Sequence, residues 1–239
     1  MLRVVQWNTH HGGIGKKADG SDDLLSTERL AHALVLLTPD IICLNEVEQF
    51  NPAHGNANQV GLIASILPGS WSYHVVSRGG VPAPTSGQVN VIFAKDGFAT
   101  RSAKGLVFDR SAAYAYIGGK SVYAVHVDNT SANNRNVQLT QLLCWHKEHP
   151  DPFISAGDYN CQIATAIELS PWRHWYKDAW TEAQRLGKAT AFNHSGATKS
   201  TRIDAIFFRG LTLVSCEVPD TRIDGVFPSD HHPIVAVFA

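Results

Sequence analysis

The stretch FISAGDYN (residues 153–160) carries the pattern that decides the fold of this chain. The four residues Phe153–Ala156 form a short apolar run of the length expected for a buried strand. Gly157 and polar side chains follow the run directly. We therefore predict a strand whose carboxyl end presents Asp158 and Asn160.

Polar side chains stand at the ends of other apolar runs in the same way. They are Asn8 after Leu2–Trp7, Asn45-Glu46 after Ile41–Leu44, His126 after Val122–Val125, Asp204 within Arg202–Ile206, and Ser229–His232 before the last strand. If most of these strand ends lie on one side of the sheets, histidines, carboxylates and asparagines converge there. Such a collection in a cleft between sheets is typical of a functional site.

Helical periodicity occurs early in each half of the chain. Leu30, Ala33, Leu34 and Leu37 recur at the spacing of one helical face, and so do Val60, Ile63, Ala64 and Leu67. A third helix is predicted over about Asn134–Lys147. Strands and hairpins follow, and no Pro-, Ser- or Gly-rich linker separates the halves. We predict an α/β (α+β) fold, a single domain over residues 1–239, with two packed mixed sheets flanked by helices.

The composition of the chain argues against several classes of protein. The 239 residues include 20 Lys plus Arg and 21 Asp plus Glu, a balance that argues against binding nucleic acid by bulk positive charge. No two of the four cysteines have CxxC spacing, which excludes a zinc ribbon. The longest apolar stretch, Leu30–Leu44, is shorter than the roughly 20 residues of a membrane-spanning helix. We expect a reduced, cytoplasmic protein.

The residue types at the strand ends suit hydrolysis of a phosphate ester. Carboxylates such as Glu46 and Asp230, without Cys ligands, favour a hard cation such as Mg²⁺. Asp158 could orient or deprotonate water, and Asn160 could donate a hydrogen bond to a phosphate oxygen. Two further side chains could donate hydrogen bonds or a proton, His126 and His231.

Six segments in order resemble the endonuclease/exonuclease/phosphatase superfamily, whose fold deoxyribonuclease I, exonuclease III and neutral sphingomyelinases share. They are Gln6-Trp7-Asn8, Leu44–Val47, Val125-His126, Gly157–Asn160, Arg202–Asp204 and Ser229–Pro233. Each is weak alone, but six in the family's order over nearly the whole chain are a strong signal. The resemblance implies a four-layer sandwich with a divalent-metal phosphodiesterase or phosphomonoesterase site.

The resemblance also implies roles for the matching residues. Those around the metal, Mg²⁺ or Mn²⁺, are Asn8, Glu46 and Asp230. Those implied in catalysis are His126, Asp158, Asn160, Asp204 and His231. Within this set, Asp158 acts on the nucleophilic water and Asn160 holds the phosphate. Because an unpaired carboxylate in an apolar run is costly, Asp204 needs a partner, and we expect a direct hydrogen bond to His231.

Three positions depart from relatives of the superfamily. His126-Val127-Asp128-Asn129 replaces the Tyr-x-Pro-Asn of the abasic-site endonucleases, which favours the deoxyribonuclease I or sphingomyelinase branch. Gln88 stands near the place of a carboxylate that pairs with the matching histidine in deoxyribonuclease I, so the partner of His126 stays open. His10 falls where some relatives have an acidic metal neighbour, and it could bias the site toward Mn²⁺ or a softer ion.

These observations lead us to expect a monomeric Mg²⁺- or Mn²⁺-dependent nuclease that cuts DNA with little base specificity. Phosphate contacts carry no sequence information, and no segment resembles a recognition helix. Candidate phosphate contacts are Lys16, Lys17, Arg78, Lys199 and Arg202. The alternatives are a sphingomyelinase-like or small-molecule phosphodiesterase or phosphatase, and a non-catalytic binding module. No membrane-seeking hairpin or amphipathic helix stands out, so we expect no stable membrane association.

Overall fold

The computed structural model of this chain describes residues 1–13, 15–16, 22–23, 25–52, 57–80 and 87–239. The strands in this part of the chain are β1 (Leu2–Asn8), β2 (Gly15–Lys16), β3 (Asp22–Asp23), β4 (Ile41–Gln49), β5 (Ser72–Ser77), β6 (Gly87–Ala94), β7 (Thr100–Leu106), β8 (Arg110–Ile117), β9 (Lys120–His126), β10 (Phe153–Asp158), β11 (Lys177–Asp178), β12 (Ala189–Ala191), β13 (Asp204–Arg209), β14 (Leu213–Val218) and β15 (Ile234–Phe238).

The helices are α1 (Leu25–Leu36), α2 (Gln59–Ile66), α3 (Ala132–His146), α4 (Ser170–Trp175) and α5 (Ala179–Arg185). Shorter turns lie at His10–Gly13, where all four residues have positive φ, and at Arg78–Gly80 and Ile167–Leu169. Among the described residues, no helix has the length and apolar composition that crossing a membrane requires.

Two mixed sheets contain all of these strands except the short β2–β3 ribbon. The strand order is β12-β14-β15-β1-β4-β6-β5 in the first sheet and β11-β13-β10-β9-β8-β7 in the second. Each sheet contains one central parallel pair, β1 with β4 and β10 with β9, and that pair has an antiparallel neighbour on either side. The predicted pair of mixed sheets flanked by helices is confirmed.

Both faces of each sheet are buried along its central strands, which explains why these strands appear in the sequence as short unbroken apolar runs. Along β10, Phe153 packs in a cluster with α3 and α4, whereas Ile154 and Ala156 pack between the two sheets. On the other side, Leu34 of α1 and Ile63 of α2 cover the first sheet. The layers are therefore helix, sheet, sheet and helix.

β4 is longer than the sequence predicts. The apolar run suggested a strand that ends at Leu44, but pairing with β6 resumes at Val47 after a shift of register and continues to Gln49. Glu46, within the shift, has a φ of 58°. A bulge of this kind re-aims a side chain without ending the strand, and it cannot be read from apolar periodicity.

Candidate active site

The site forms where the central parallel pair of each sheet reaches its carboxyl end. In the first sheet, Asn8 of β1 is the register partner of Asn45 of β4. In the second, Asp158 of β10 has His126 of β9 on one side and Asp204 of β13 on the other. Strand pairing therefore brings together side chains that are far apart in the sequence.

Gly157 permits the close approach of β10 and β9 next to the site. A Cβ at this position would lie 1.8 Å from the carbonyl oxygen of Val125. Any larger residue would therefore push the two strands apart. The contact keeps Asp158 beside His126.

Glu46 reaches the site from the bulge in β4. Its Oε1 accepts a hydrogen bond from Nδ2 of Asn8 at 3.1 Å, and its Oε2 accepts one from Nε2 of Gln88 at 3.3 Å. A left-handed φ strains the backbone of a residue that has a Cβ. This conformation persists only where the surrounding structure constrains the residue. Here the paired segments of β4 on both sides of Glu46 hold it in place.

Asp158 is a buried carboxylate surrounded by donors. Its Oδ2 accepts from Nδ2 of Asn8 at 2.9 Å, and its Oδ1 accepts from the backbone N–H of Asn160 at 2.8 Å. Burial, and after it the negative charge of Asp204, raise the pKa of Asp158 to about 7. A carboxylate with such a pKa can act as a base near neutral pH.

Two buried amides from the first sheet hold the second sheet beside the site. Oδ1 of Asn45 accepts from the backbone N–H of Asp158 at 3.1 Å, and its Nδ2 donates to the carbonyl of Val125 at 3.0 Å. Nε2 of Gln6 donates to Oδ1 of Asp204 at 2.9 Å. Neither amide is assigned a role from the sequence alone, although a polar side chain inside an apolar strand is an available signal.

The expected contact between Asp204 and His231 is present. Nδ1 of His231 lies 2.7 Å from Oδ2 of Asp204, and both side chains are buried. Burial opposes the charged ring, but Asp204 together with Asp158 and Asp230 outweighs it and raises the pKa of His231 to about 9. His231 is therefore a cation at neutral pH, and its Nε2 lies 3.8 Å from Oδ1 of Asp230.

His126 has the opposite electrostatic environment. Nη1 of Arg110 lies 3.3 Å from Nε2 and 3.4 Å from Nδ1 of its ring. Burial and then the Arg110 charge lower the pKa of His126 well below its usual value. The neutral ring places Nε2 at 3.7 Å from Glu46 and 3.8 Å from Asp158. Arg110, which the sequence analysis did not single out, is thus the close neighbour of His126, while Gln88 contacts Glu46 instead.

Asp230 lies beyond His231, at the rim of the site. Its Oδ2 is 2.9 Å from Nζ of Lys199, and its Oδ1 is 3.9 Å from Nδ1 of His10, which is largely exposed. Partial burial disfavours the carboxylate, but the hydrogen bond from Lys199 and the nearby His231 keep the pKa of Asp230 below its usual value. His10 therefore neighbours Asp230, the residue that the resemblance places at the metal.

Asn160 follows Asp158 in a left-handed conformation, with a φ of 50°, which asparagine tolerates better than most residues. Its Nδ2 donates to the carbonyl of Val127 at 3.0 Å. An amide nitrogen carries two hydrogens, so one N–H is left for a further acceptor. Binding of a phosphate oxygen by Asn160 stays a prediction.

The basic residues singled out in the sequence have different positions. Arg202 forms an ion pair with Asp178 at 2.8 Å, whereas Arg78 lines a small cleft together with Glu46 and His126. Lys17 lies outside the described residues, and Lys16 is described only by its backbone in β2.

The arrangement of possible ligands fits a hard divalent cation. In the described part of the chain, two groups of three side chains have ligand atoms within 4.8 Å of one another. They are Glu46–His126–Asp158 and Asp158–Asp204–His231. The hydrogen bond from His231 already engages Asp204 in the second group, so Glu46 in the first group is the better candidate ligand for a cation.

The oxygen-rich first group suits Mg²⁺ or Mn²⁺. Nδ2 of Asn8 donates to the carboxylates of Glu46 and Asp158, and its Oδ1 accepts from the backbone N–H of His10 at 3.1 Å. Asp230 belongs to neither group and contacts Lys199. Metal binding by Asn8, Glu46 and Asp230, and by His10, stays a prediction.

Solved structures with the same fold cover the whole chain. An endonuclease/exonuclease/phosphatase from Bacteroides vulgatus superimposes with a TM-score of 0.79 at 19% identity, covering 100% of this chain and 98% of that one. A mannosyl-6-phosphatase from Bacteroides thetaiotaomicron gives 0.72 at 17% identity, with 100% of both chains covered. A humanized D. rerio TDP2 gives 0.70 at 20% identity, covering 100% of this chain and 98% of that one.

These identities are low, so the structural matches show the fold alone. Comparison with curated proteins finds no match for this sequence. The sequence profile of the Endonuclease/Exonuclease/phosphatase family matches residues 5–231, which is nearly the whole chain and includes all of the site residues described above. The chain therefore belongs to the endonuclease/exonuclease/phosphatase family.

Proposed function

We propose that this protein is a divalent-metal-dependent phosphoester hydrolase and that its substrate is the DNA backbone. The observation that carries the hydrolytic proposal is the position of Asp158. Its buried carboxylate lies between the Glu46–Asn8 contact on one side and the Asp204–His231 pair on the other. This arrangement supports a base for water, a place for a cation and a fixed positive charge within one site.

Glu46 would hold the divalent cation, which would neutralise negative charge on the phosphate. Asp158 accepts a proton from water as the water oxygen forms its bond to phosphorus and the bond to the leaving oxygen breaks. Its pKa of about 7 suits this transfer at neutral pH. Asn8 and the N–H of Asn160 keep the Asp158 carboxylate in one orientation.

The other side chains act on the phosphate. His231, charged and oriented by Asp204, donates from Nε2 to a phosphate oxygen, where negative charge grows in the transition state. The second N–H of Asn160 donates to the same group. Neutral His126, packed against Arg110, offers a hydrogen bond on the opposite side of Asp158.

DNA is the proposed substrate because the chemistry of the site addresses phosphate, and no element described above is built to read base edges. Phosphate contacts alone confer little sequence specificity. The net charge of the chain is −1. Binding should therefore weaken only shallowly with salt, since the slope is about −0.9 per phosphate neutralised.

A phosphomonoester of a small molecule is the second candidate. Two guanidinium side chains, Arg78 and Arg110, border the site next to Glu46 and His126. A dianionic phosphate would find two positive groups there. One protein of the same fold is named a mannosyl-6-phosphatase, which agrees with this candidate without deciding it.

The experiment compares substrates in parallel. Supercoiled plasmid, RNA, sphingomyelin, bis(p-nitrophenyl) phosphate and a sugar phosphate are incubated with Mg²⁺, Mn²⁺ or chelator across a salt series. We expect metal-dependent nicking of plasmid that Asp158→Asn abolishes. The matched control is Asp151→Asn, which removes a surface carboxylate paired with Arg209.

The outcomes separate the proposals. Turnover of the sugar phosphate alone would contradict the DNA assignment and favour the second candidate, and turnover of sphingomyelin alone would favour a lipid phosphodiesterase. Inactivity toward every substrate would contradict phosphoester hydrolysis and favour a binding module. Glu46→Gln should weaken Mn²⁺ binding measured by calorimetry, and unchanged binding would overturn Glu46 as a metal ligand.

A further inference from the structure

An ion pair at the rim of the site has no role in the hydrolysis described above. Nζ of Lys199 lies 2.9 Å from Oδ2 of Asp230, and both side chains are partly exposed, 44% and 38%. Lys199 is therefore a cation on a long, flexible side chain, placed beside Asp230 and accessible to solvent.

The backbone of Lys199 is fixed by the residue before it. Thr198 is fully buried, and its Oγ1 accepts from the backbone N–H groups of Ile203 and Asp204 at 3.3 and 3.2 Å. The carbonyl of Thr198 accepts from the N–H of His232 at 2.6 Å. Thr198 thus joins the segment that carries Asp204 to the segment that carries Asp230 and His231. The backbone of Lys199 is therefore held next to both of these segments.

A second lysine–aspartate pair shows what an ordinary surface pair looks like in this chain. Lys95 lies 3.5 Å from Asp40, with side-chain exposures of 40% and 38%. Asp40 precedes β4, at the end of that strand opposite to the bulge that carries Glu46. The two pairs match in exposure and differ in position, because only the Lys199 pair borders the candidate active site.

We propose, on the basis of the proposed function, that Lys199 is a phosphate-binding residue: its ammonium leaves Asp230 and binds a non-bridging oxygen of the substrate phosphate. An ammonium on a four-carbon stem suits this role, because it has three donors and can change partner by rotating the side chain. Asp230 keeps the ammonium at the rim while no phosphate is bound.

The proposal predicts effects of opposite sign on two ligands. Lys199→Met removes a positive charge near the cation, so Mn²⁺ should bind about threefold or more tightly. The same change removes a charge-assisted hydrogen bond, so inorganic phosphate should bind about tenfold more weakly in the presence of Mn²⁺. Lys199→Arg keeps the charge and should stay within about threefold of wild type for both ligands.

The test uses the full chain and needs no turnover. Free Mn²⁺ is measured by electron paramagnetic resonance, and phosphate binding to the Mn²⁺-loaded protein is measured by calorimetry. Lys95→Met is the matched control and should leave both affinities unchanged. Thermal unfolding of each variant checks that it is folded, and Lys199→Gln replaces the Met variant if that variant does not fold.

Each outcome decides the proposal. A tighter Mn²⁺ affinity together with a weaker phosphate affinity supports it. Unchanged affinities in Lys199→Met overturn it, and a loss of both affinities overturns it too, because Lys199 would then only position Asp230. Failure of the wild type to bind Mn²⁺ overturns it as well. Absence of hydrolysis by a wild type that binds Mn²⁺ counts against the proposed function instead.

Discussion

Asp158 has a histidine on each side, and the two histidines differ in charge at neutral pH. His231 faces the Asp204 carboxylate at 2.7 Å, and its pKa is raised to about 9. His126 faces the Arg110 guanidinium at 3.3 Å, and its pKa is lowered well below the usual value by burial and by that charge. Both rings are buried, so burial alone does not explain the difference.

The comparison shows that the residue type does not decide the role of a histidine. A carboxylate favours the charged ring and a guanidinium favours the neutral one. One fold thereby supplies a fixed cation on one side of Asp158 and a neutral hydrogen-bonding ring on the other. Replacing one residue at a time therefore tests which neighbour decides the charge of each ring.

The largest effect is expected from removing the group that the two histidines share. Asp158→Asn leaves an amide that cannot accept a proton from water, so turnover should fall by about 10²–10⁴-fold. Substrate binding, measured with the plasmid by mobility shift, should persist. Asp151→Asn is the control, and a turnover of Asp158→Asn within a few-fold of the control would contradict the base assignment.

The pH profile should separate the two histidines. With Asp158 as base, kcat/KM should rise as pH approaches about 7, and with His231 as the donor it should fall as pH passes about 9. His231→Asn should lower turnover by about 10²-fold and remove the alkaline decline. Asp204→Asn should move that decline to lower pH, because burial then acts on the ring without its counter-charge.

The control for this profile is His174→Asn, which changes an exposed histidine. An alkaline decline that survives unchanged in His231→Asn would contradict the assignment of the charged ring.

A third histidine, His146, tests what burial does without a charged partner. It packs among Tyr123, Phe153 and Trp172, and neither ring nitrogen has a hydrogen-bond partner among the described residues. Burial, and secondly His149, lower its pKa well below the usual value. The unfolded chain therefore binds the proton more readily below about pH 6.5, and stability is lost as pH falls.

We expect His146→Leu to reduce the loss of unfolding free energy between pH 7 and pH 5 by up to about 2 kcal/mol. Denaturant unfolding at the two pH values measures it. His32→Leu, at an exposed position, should leave the pH dependence unchanged. An equal pH dependence in wild type and His146→Leu would mean that His146 does not titrate differently in the folded state.

The smallest effect concerns the charge that keeps His126 neutral. Arg110→Met removes the nearby guanidinium, so the pKa of His126 should rise while burial continues to hold it down. The Hε1 resonance of the ring, followed by NMR across pH, reports the change. Arg101→Met removes an exposed guanidinium and serves as the control. A lower pKa in Arg110→Met would reverse the proposed cause.

Much of the layered fold was readable from the sequence, because burial on both faces leaves apolar runs with polar residues at their ends. The runs predicted β10 and β9 closely, and the helical spacing predicted α1 and α3. The two- and three-residue strands β11 and β12 have no such pattern, since their pairing depends on neighbours already in place. The bulge at Glu46 was also missed, because it too depends on how β4 pairs with a neighbouring strand.

By itself, the sequence determined which residues stand at strand ends and that they follow the order of the endonuclease/exonuclease/phosphatase family. Tertiary structure decided which of them touch: His231 reaches Asp204 across 27 positions, and Asn8 reaches Asp158 across 150. It also placed Arg110 against His126 and Lys199 against Asp230. Apolar patterning is a property of neighbouring residues, whereas contacts and charge states depend on sheet packing and on which groups lose water together.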